Sequence, residues 1–262
     1  MRIAVTKMHG ARNDFVVIDW RGARDGDVVA LARALCDRHT GIGADGLIVL
    51  ESSHAADARM RTINADGSEA EMCGNGVRCA ARWLDEAGAG GHIAFETDAG
   101  IVRSEIVRRD PEYLVRVAMG TPAISALAVD GQTEAFVDVG NPHVVLFRAT
   151  VDDVDLEAQA AALQNVPRTA GTNVHVASLA GKGSLDVRHW ERGVGLTMAC
   201  GTGAVACAAV AIERGLVASP VEVFVPGGRL VVEWNGMGSA YLTGPAVRIF
   251  DTEIDPADAF AG

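Results

Sequence analysis

Two short runs of the sequence place a cysteine directly before glycines and a helix-forming segment. The runs are Cys73-Gly74-Asn75-Gly76 and Cys200-Gly201-Thr202-Gly203, and alanine-rich sequence follows each of them. Alanine favours a helix, and glycine lets the backbone turn tightly and approach a ligand closely. The unpaired N–H groups and the positive dipole end of a helix N-terminus attract an anion. Each run therefore predicts a carboxylate or phosphate site with a thiol beside it.

The dipole of the following helix also favours a thiolate, so we expect it to lower the pKa of both Cys73 and Cys200. Two such elements in one chain indicate two thiols that face one anionic ligand. The other cysteines, Cys36, Cys79 and Cys207, lie on apolar helical faces and are expected to pack in the core. Five cysteines is an odd number, which fits reduced thiols better than a framework of disulfides.

The elements that must position these thiols recur in the second half of the chain. Apolar spacing predicts helices over residues 27–38, 77–87, 152–164 and 204–214. Five landmarks have counterparts 126 to 128 positions later: Gly43 and Gly171, Gly67 and Gly193, Cys73 and Cys200, Gly88 and Gly215, Gly100 and Gly228. Landmarks that keep one order and one offset indicate a duplicated α/β unit, and the cleft between two such lobes is the natural place for a ligand.

The duplication sets the domain boundaries that we predict. One lobe covers residues 1–120 and the other covers residues 121–245. The tail from residue 241 to about 250 is predicted as one more strand, and a C-terminal strand at about residues 246–254 is expected to return to the first lobe.

The composition argues against several classes of partner. The chain has 262 residues, of which 49% are hydrophobic, and a formal net charge of −11. The sequence contains no basic block, which argues against nucleic acid and anionic membranes as partners. The longest uncharged apolar run, residues 204–212, is too short to span a bilayer, and the first residues lack the pattern of a signal peptide. We therefore expect a folded cytoplasmic protein.

Cofactor chemistry has poor candidates among the residues. A pyridoxal mechanism needs a lysine, and the chain has only Lys7 and Lys182, the second in an apparent hairpin turn. No spacing of histidines and cysteines matches a zinc site, so we expect no metal. Five histidines are expected to be surface or structural residues: His39, His54, His92, His175 and His189.

Several motifs together strongly resemble the diaminopimelate epimerase family. The resemblance runs from Lys7 to about Asp251, with the motifs in the family's order and spacing. The motifs are Lys7-Met8-His9-Gly10 with Asn13-Asp14-Phe15, Gly41-Ile42-Gly43-Ala44-Asp45, Asn64-Ala65-Asp66-Gly67-Ser68, the two cysteine runs, Gly140-Asn141-Pro142-His143 and Glu191-Arg192-Gly193. Such a set is far more specific than any single glycine-rich loop.

The resemblance implies an α/β fold with two pseudo-symmetric lobes. Each lobe wraps a mixed or antiparallel sheet around a central helix, and the active site lies in the cleft between the lobes. The implied activity is the interconversion of L,L- and meso-2,6-diaminopimelate without a cofactor, a step on the route to lysine and to bacterial cell walls. A homodimer is expected on the same ground.

The resemblance also assigns roles to matching positions. Cys73 and Cys200 fall on the paired acid and base. The implied cradle for the reacting carboxylate consists of Gly74, Asn75, Gly201 and Thr202. The implied contacts to the two amino-acid ends are Asn13, Asn64, Asn141, Asn173, Glu191 and Arg192, and the implied groups that tune the thiols are His143 and Glu191.

Three positions depart from the family's usual residues. Gly46 stands where many members have Gln, which puts one substrate contact in doubt. Arg12 stands where many have Gly, which affects the path of the first turn. Thr202 replaces a frequent Ser and keeps both the hydroxyl and the N–H.

The implied chemistry explains why two thiols are needed. Inverting an α-carbon by proton transfer requires a base on one face and an acid on the other. One thiol must begin as a thiolate, and the two titrate as a coupled pair. Because the substrate proton is far less acidic than a thiol, the carbanion needs electrostatic stabilisation, which two helix N-termini aimed at the carboxylate would supply. Arg192 suits bidentate binding of a distal carboxylate.

Three other functions remain open from the residues. A racemase of this fold could act on proline or hydroxyproline, although Asn64, Asn173 and Arg192 would then lack a second carboxylate to bind. A non-catalytic amino-acid-binding protein would need neither thiol. A thiol redox protein would join Cys73 to Cys200 in its working form, whereas we expect that bridge only as an inactivating artefact.

Overall fold

The computed structural model describes residues 2–22, 26–129 and 132–255. The chain divides into two compact units. The first unit combines the chain up to Val117 with the segment that begins at Gly244, and the second is Ala118–Thr243. The five cysteines, all within the described residues, form no disulfide, and Cys36, Cys79 and Cys207 are buried as expected. None of the described helices has both the length and the apolarity needed to cross a membrane.

Apart from β9, the helices and strands follow in the same order in the two halves. The first half contains β1 (Ile3–Gly10), β2 (Asn13–Asp19), α1 (Val28–Cys36), β3 (Gly46–Glu51), β4 (Ala58–Asn64), β5 (Glu69–Ala70), α2 (Gly74–Glu86), β6 (His92–Thr97), β7 (Gly100–Arg108) and β8 (Leu114–Ala118). The second half contains β9 (Ala123–Val129), β10 (Gln132–Asp138), β11 (Pro142–Phe147), α3 (Leu156–Gln164), β12 (Asn173–Gly181), β13 (Ser184–Glu191), β14 (Gly195–Thr197), α4 (Gly201–Glu213), β15 (Val221–Val225), β16 (Gly228–Glu233) and β17 (Tyr241–Pro245). The last strand is β18 (Val247–Ile254).

Strand pairing confirms the duplication. In the first unit β2 and β3 run parallel on either side of α1, and β4 and β6 run parallel on either side of α2. In the second unit β11 and β12, and then β13 and β15, are parallel around α3 and α4. The flanking pairs β1 with β2 and β10 with β11 are antiparallel, as are β3 with β4 and β12 with β13. Each unit is therefore the same mixed sheet with two crossover helices.

The last strand completes the first unit. β18 pairs antiparallel with β1, from Ile3 opposite Ile254 to His9 opposite Val247. β9 pairs with β10 in the same way at the matching edge of the second unit. The tail after residue 240 therefore forms two strands, β17 and β18, where the sequence predicted one over residues 241–250. Ala246 separates the two strands, and its N–H donates to the carbonyl of Tyr113.

The second helix of each unit is central to its core. Residues 204–211 of α4 are all buried, and α2 buries Val77, Ala80, Ala81 and Leu84. Strands of the same unit contact each helix on several sides. A helix such as α4, which is apolar around most of its circumference, must be enclosed in this way, and its small alanine side chains let the strands approach closely. The prediction of a sheet wrapped around a central helix is confirmed for each unit.

Both central helices begin three residues earlier than predicted. α2 starts at Gly74 and α4 at Gly201, because Cys73 and Cys200 are the N-cap residues and have extended backbones. The glycine runs are thus the first turns of the helices and not loops before them. The weak helix propensity of glycine hid these turns in the sequence, whereas the N-terminal N–H groups that they expose are the ones that bind anions.

Candidate active site

Cys73 occupies the N-cap position of α2. Its Sγ atom accepts a hydrogen bond from the backbone N–H of Gly76 at 3.4 Å, and its side chain is half-buried. An N-cap normally uses an oxygen for this bond. Here the sulfur lies at the positive end of the helix dipole, where a negative charge is favoured. The local sequence therefore places a thiol where it can carry charge.

Asn13 lies beside this thiol. Its Oδ1 atom is 4.0 Å from the Sγ of Cys73 and accepts a hydrogen bond from Nδ2 of Asn75 at 3.2 Å. Its Nδ2 atom donates to a carboxylate oxygen of Asp45 at 2.7 Å. The structure thus brings together three residues that the sequence analysis assigned to the site, Asn13, Cys73 and Asn75.

The turn that presents Asn13 explains the departure at Arg12. Gly10 pairs with Asn13, so Ala11 and Arg12 form a two-residue hairpin turn. Both have positive φ, 54° and 65°. This conformation suits glycine, and an L-residue adopts it at a cost of roughly 1 kcal/mol. The N–H of Arg12 donates to Nδ1 of His9 at 3.3 Å, which helps to close the turn.

Asn64 and Gly46 face each other across two strands. They are register partners in the β3–β4 pair, and Asn64 is exposed. The Nδ2 atom of Asn64 donates to the hydroxyl of Ser68 at 2.9 Å, which orients the amide. A Cβ atom at position 46 would lie 2.9 Å from the carbonyl oxygen of Ile63. The backbone here is adapted to glycine, so the usual Gln would require a local shift.

Cys200 repeats the N-cap position on α4 in a different environment. It is buried, and its Sγ lies 3.6 Å from the hydroxyl oxygen of Thr202. Burial, and next the negative charge of Glu191, raise the pKa of the Cys200 thiol well above its usual range, although Thr202 and the N–H of Gly203 act in the opposite sense. The expectation that the helix dipole lowers the pKa of this thiol is wrong, because desolvation disfavours a thiolate more strongly than the dipole favours it.

A chain of three buried histidines lies beside the first turn of α4. The Nε2 atom of His143 is 2.8 Å from Oδ1 of Asn141, and its Nδ1 atom is 2.8 Å from Nε2 of His175. The Nδ1 atom of His175 is 2.9 Å from Nδ1 of His189. A Cβ atom at Gly203 would lie 2.5 Å from the ring of His175, so this ring packs directly against the helix backbone.

These histidines are neutral in the folded protein. Burial lowers the pKa of His143 and of His189 to about 3 and lowers that of His175 well below its usual value. Of these three histidines, the sequence assigned a functional position only to His143. His175 and His189, which were expected to be surface or structural residues, are buried. The register of β12 and β13 would have revealed the histidine cluster, because it pairs His175 with His189.

Asn173, Glu191 and Arg192 meet at the end of β13. The backbone N–H of Arg192 donates to Oδ1 of Asn173 at 3.0 Å. A carboxylate oxygen of Glu191 accepts a hydrogen bond from the hydroxyl of Thr197 at 2.6 Å. Arg192 is exposed, and its guanidinium enters no hydrogen bond or ion pair with the described residues. A free bidentate donor of this kind is suited to a carboxylate ligand.

Neither lysine is placed for pyridoxal chemistry. Lys7 is buried, and its ammonium binds the carboxylate of Asp14 at 2.5 Å and the carbonyl of Gly43. Lys182 lies exposed in the turn between β12 and β13, as predicted. The amine that would form a Schiff base is thus held by an ion pair and a hydrogen bond in Lys7, and it lies on an exposed hairpin turn in Lys182.

Comparison with solved structures defines the class of fold. A phenazine biosynthesis protein of the PhzF family from Bacillus anthracis superposes with a TM-score of 0.77 at 17% identity, over 97% of this chain and 99% of that protein. A hydroxyproline epimerase from Agrobacterium vitis superposes with a TM-score of 0.72 at 16% identity, over 98% and 94%. The chain therefore has the two-lobed α/β fold that these proteins share.

Sequence comparison then gives the family. The sequence model of diaminopimelate epimerase matches residues 5–125 and 135–249. Diaminopimelate epimerases from Desulforudis audaxviator and Sphingopyxis alaskensis are 42% and 43% identical, covering 94% and 95% of this chain and 97% and 96% of those proteins. The enzyme of the same name from Erythrobacter litoralis is 43% identical over 98% of this chain and 99% of its own length. The chain belongs to the diaminopimelate epimerase family, which confirms the resemblance predicted from its motifs.

Proposed function

We propose that this protein interconverts L,L- and meso-2,6-diaminopimelate as a diaminopimelate epimerase of lysine biosynthesis. One observation carries the proposal: in a chain of this family, each unit caps its central helix with a cysteine. The two units correspond to the epimerase lobes. The activity would need neither a pyridoxal cofactor nor a metal, because the thiols themselves move the protons.

In the proposed reaction, Cys73 and Cys200 act on opposite faces of the reacting α-carbon. A thiolate takes the α-proton, and the electron pair of the broken C–H bond moves into the adjacent carboxylate. The thiol on the other face gives its proton to the carbon and becomes the new thiolate. The atoms balance, since one proton leaves the carbon and one arrives, and the next turnover starts with the charges exchanged.

Stabilisation of the carbanion is assigned to the two first helical turns. The N–H groups at Gly74 and Asn75, and at Gly201 and Thr202, belong to the first turns of α2 and α4. Backbone N–H groups in the first turn of a helix have no carbonyl of the same helix to bind. We infer that they bind the reacting carboxylate, whose negative charge grows as the proton leaves. Such donors are already in place and need no reorganisation when the charge appears.

Recognition of the substrate's two ends is assigned to the amides and Arg192. Asn13 and Asn75 lie beside Cys73, which favours a role at the reacting centre. Asn64, Asn141 and Asn173 are proposed to bind the amino-acid groups, with Glu191 as a further contact. The guanidinium of Arg192, which has no hydrogen-bond or ion-pair partner among the described residues, supports binding of the distal carboxylate, which a proline-type substrate lacks.

His143 and Glu191 are proposed to tune the thiols. Glu191 raises the pKa of Cys200, which keeps a proton on that thiol. His143 is held neutral between Asn141 and His175, so it would act by orienting Asn141 and not by carrying a charge.

A homodimer and a cytoplasmic location are also proposed. Within the described part of the chain, β18 has one strand partner, β1. It carries Ile249 and Phe250, which are 51% and 44% exposed. An edge strand of this kind tends to pair with another chain, and a second copy is the partner that the family leads us to expect. Light scattering of Phe250→Lys, with Met237→Lys as a control at another exposed apolar residue, would test the dimer.

The activity is tested by proton NMR with L,L-diaminopimelate in D2O, without pyridoxal phosphate or added metal. We expect meso product with deuterium at one α-carbon. Cys73→Ala and Cys200→Ala should each abolish epimerisation, whereas Cys79→Ala and Cys207→Ala should keep it. No exchange by reduced wild-type protein would contradict the proposal, and proline and hydroxyproline would be the next substrates.

The same variants separate the other classes of function. A binding protein would bind diaminopimelate with unchanged affinity in Cys73→Ala and show no turnover in any form. A redox protein would remain fully active with Cys73 and Cys200 joined in a disulfide. Either result would replace the epimerase proposal.

A further inference from the structure

Arg78 is a buried cation without a carboxylate partner. It lies on α2, five residues after Cys73, and its side chain is fully buried. Its guanidinium donates to Oδ1 of Asn75 at 2.8 Å, to the carbonyl of Pro245 at 3.0 Å and to the carbonyl of Gly74 at 3.5 Å. All three acceptors are neutral, and no ion pair joins Arg78 to a carboxylate among the described residues. A buried charge is costly unless an opposite charge compensates it.

The substrate cannot supply the missing negative charge by direct contact, because the guanidinium has no exposed surface. Burial lowers the pKa of Arg78 to about 10, and Cys79 and Cys73 act in the opposite sense. Cys79 is fully buried, and burial raises the pKa of its thiol to about 12, so it stays neutral. Cys73 remains, half-exposed at the N-cap of the same helix.

Arg78 also fixes the orientation of two site amides. A guanidinium can only donate, so the oxygen of Asn75 must face Arg78 and its Nδ2 must face Asn13. At the other end the carboxylate of Asp45 can only accept, which turns Nδ2 of Asn13 toward Asp45 and its Oδ1 toward Asn75. Both amides in the hydrogen-bond chain from Asp45 to Arg78 therefore have a single orientation, because Asp45 can only accept and Arg78 can only donate.

The second unit lacks this cation at the matching position. Cys73 corresponds to Cys200 and Arg78 to Val205, each pair 127 positions apart. Val205 is fully buried. The charged group near Cys200 is the carboxylate of Glu191, which acts against a thiolate there. The two thiols therefore occupy environments of opposite polarity.

We propose that Arg78 is the counter-charge of a resting Cys73 thiolate and that Cys200 holds the proton at rest. Arg78 is a positioning residue that acts by its positive charge and through Asn75 and the first turn of α2, without touching the substrate. The inference rests on the proposed acid and base roles of the two cysteines. It assigns different protonation states to the two thiols before substrate binds. Cys73, in the first unit, is then the base that removes the first proton.

Thiolate absorbance as a function of pH tests the inference without substrate. The Cys200→Ala variant reports Cys73, and the Cys73→Ala variant reports Cys200. Burial raises the pKa of Cys36 and of Cys79 to about 12 and that of Cys207 further, so these thiols titrate outside the useful range. We expect the Cys73 midpoint to lie at least about two pH units below that of Cys200. Equal midpoints, or a lower one for Cys200, would overturn the proposal.

Substitution of Arg78 tests the cause. In the Cys200→Ala background, Arg78→Met should raise the Cys73 midpoint by about one pH unit or more, and Arg78→Lys should restore most of the shift because it restores the charge. Arg82→Met is the matched control, since Arg82 lies on the same helix and pairs with Glu86. An unchanged midpoint in folded Arg78→Met would refute the role of Arg78.

Failure of this inference can be distinguished both from misfolding of a variant and from failure of the proposed function. If Arg78→Met does not fold, the comparison of Cys200→Ala with Cys73→Ala still decides which thiol is ionised. If the protein titrates as expected but does not epimerise diaminopimelate, the proposed function fails and the electrostatic assignment stands.

Discussion

The Nδ1 atoms of His175 and His189 lie 2.9 Å apart, so only one of them carries a hydrogen while both rings are neutral. The Oδ1 atom of Asn141 accepts from Nε2 of His143, which leaves Nδ1 of His143 to accept from His175 and Nδ1 of His175 to accept from His189. The last atom of this series, Nε2 of His189, is buried without a partner in the described structure. All three rings are thus constrained to one tautomer each.

This histidine chain predicts acid sensitivity of the second unit. Burial lowers the pKa of each ring, so below pH of about 6.5 the unfolded chain takes up protons that the folded chain does not. The stability contributed by these three neutral histidines is fully present above that pH and falls as the pH drops below it, by about 1.4 kcal/mol per pH unit for each histidine. Urea unfolding between pH 7.5 and 4.5 measures the slope. His189→Leu should reduce it by about one third, and the exposed-site control His92→Gln should not. A wild-type slope in His189→Leu would contradict the assignment.

Gly203 and Gly76 occupy the same position in the two copies and should respond oppositely to alanine. A Cβ atom at Gly203 would lie 2.5 to 2.9 Å from the ring of His175, which two hydrogen bonds hold in place. A Cβ atom at Gly76 would meet only the end of Ile48 at 3.3 Å and the side chain of Cys73 at 3.5 Å or more. We expect Gly203→Ala to cost about 1–3 kcal/mol and Gly76→Ala to be neutral or to gain up to about 1 kcal/mol. Equal effects on the unfolding midpoint would show that the ring can move aside.

The hydroxyl of Thr202 should matter more than its methyl group. Its oxygen lies 3.6 Å from the Sγ of Cys200. Thr202→Val removes the hydroxyl at nearly constant volume, and we expect kcat/KM to fall about tenfold in both directions of the reaction. Thr202→Ser keeps the hydroxyl and should stay within about twofold of wild type. Steady-state kinetics from each isomer would check this, and equal losses in the two variants would assign the effect to packing.

Glu191→Gln should make Cys200 easier to ionise. The charge of Glu191 raises the pKa of the Cys200 thiol, so its removal should move the thiolate titration of Cys200 to lower pH in the Cys73→Ala background. Gln keeps an oxygen that can accept the hydrogen bond from Thr197. Glu222→Gln, on β15 of the same unit, is the control and should leave the titration unchanged. A shift of the Cys200 midpoint to higher pH would show that Glu191 acts through structure and not through its charge.

Local motifs made the two cysteines near helix N-termini and the duplicated order of elements predictable, whereas the N-cap positions of the cysteines were not predicted. The side chains that set the charge of each site were not predictable in the same way. Arg78 looks like an ordinary polar helical residue in the sequence, and its burial depends on distant parts of the chain, namely β1 and the end of β17 at Pro245. The raised pKa of Cys200 likewise depends on burial by the rest of the unit, whereas the helix dipole acts over a single turn.

The pairing of β18 with β1 also governs the order in which the chain can be assembled during synthesis. The ribosome releases β1 before the second unit, yet β1 receives its partner β18 only when residues 247–254 emerge, after the second unit. The second unit is continuous from Ala118 to Thr243 and is complete before that strand appears. Domains commonly fold from the N-terminus onward as they are made. In this chain the unit that is started first is the one that must be finished last.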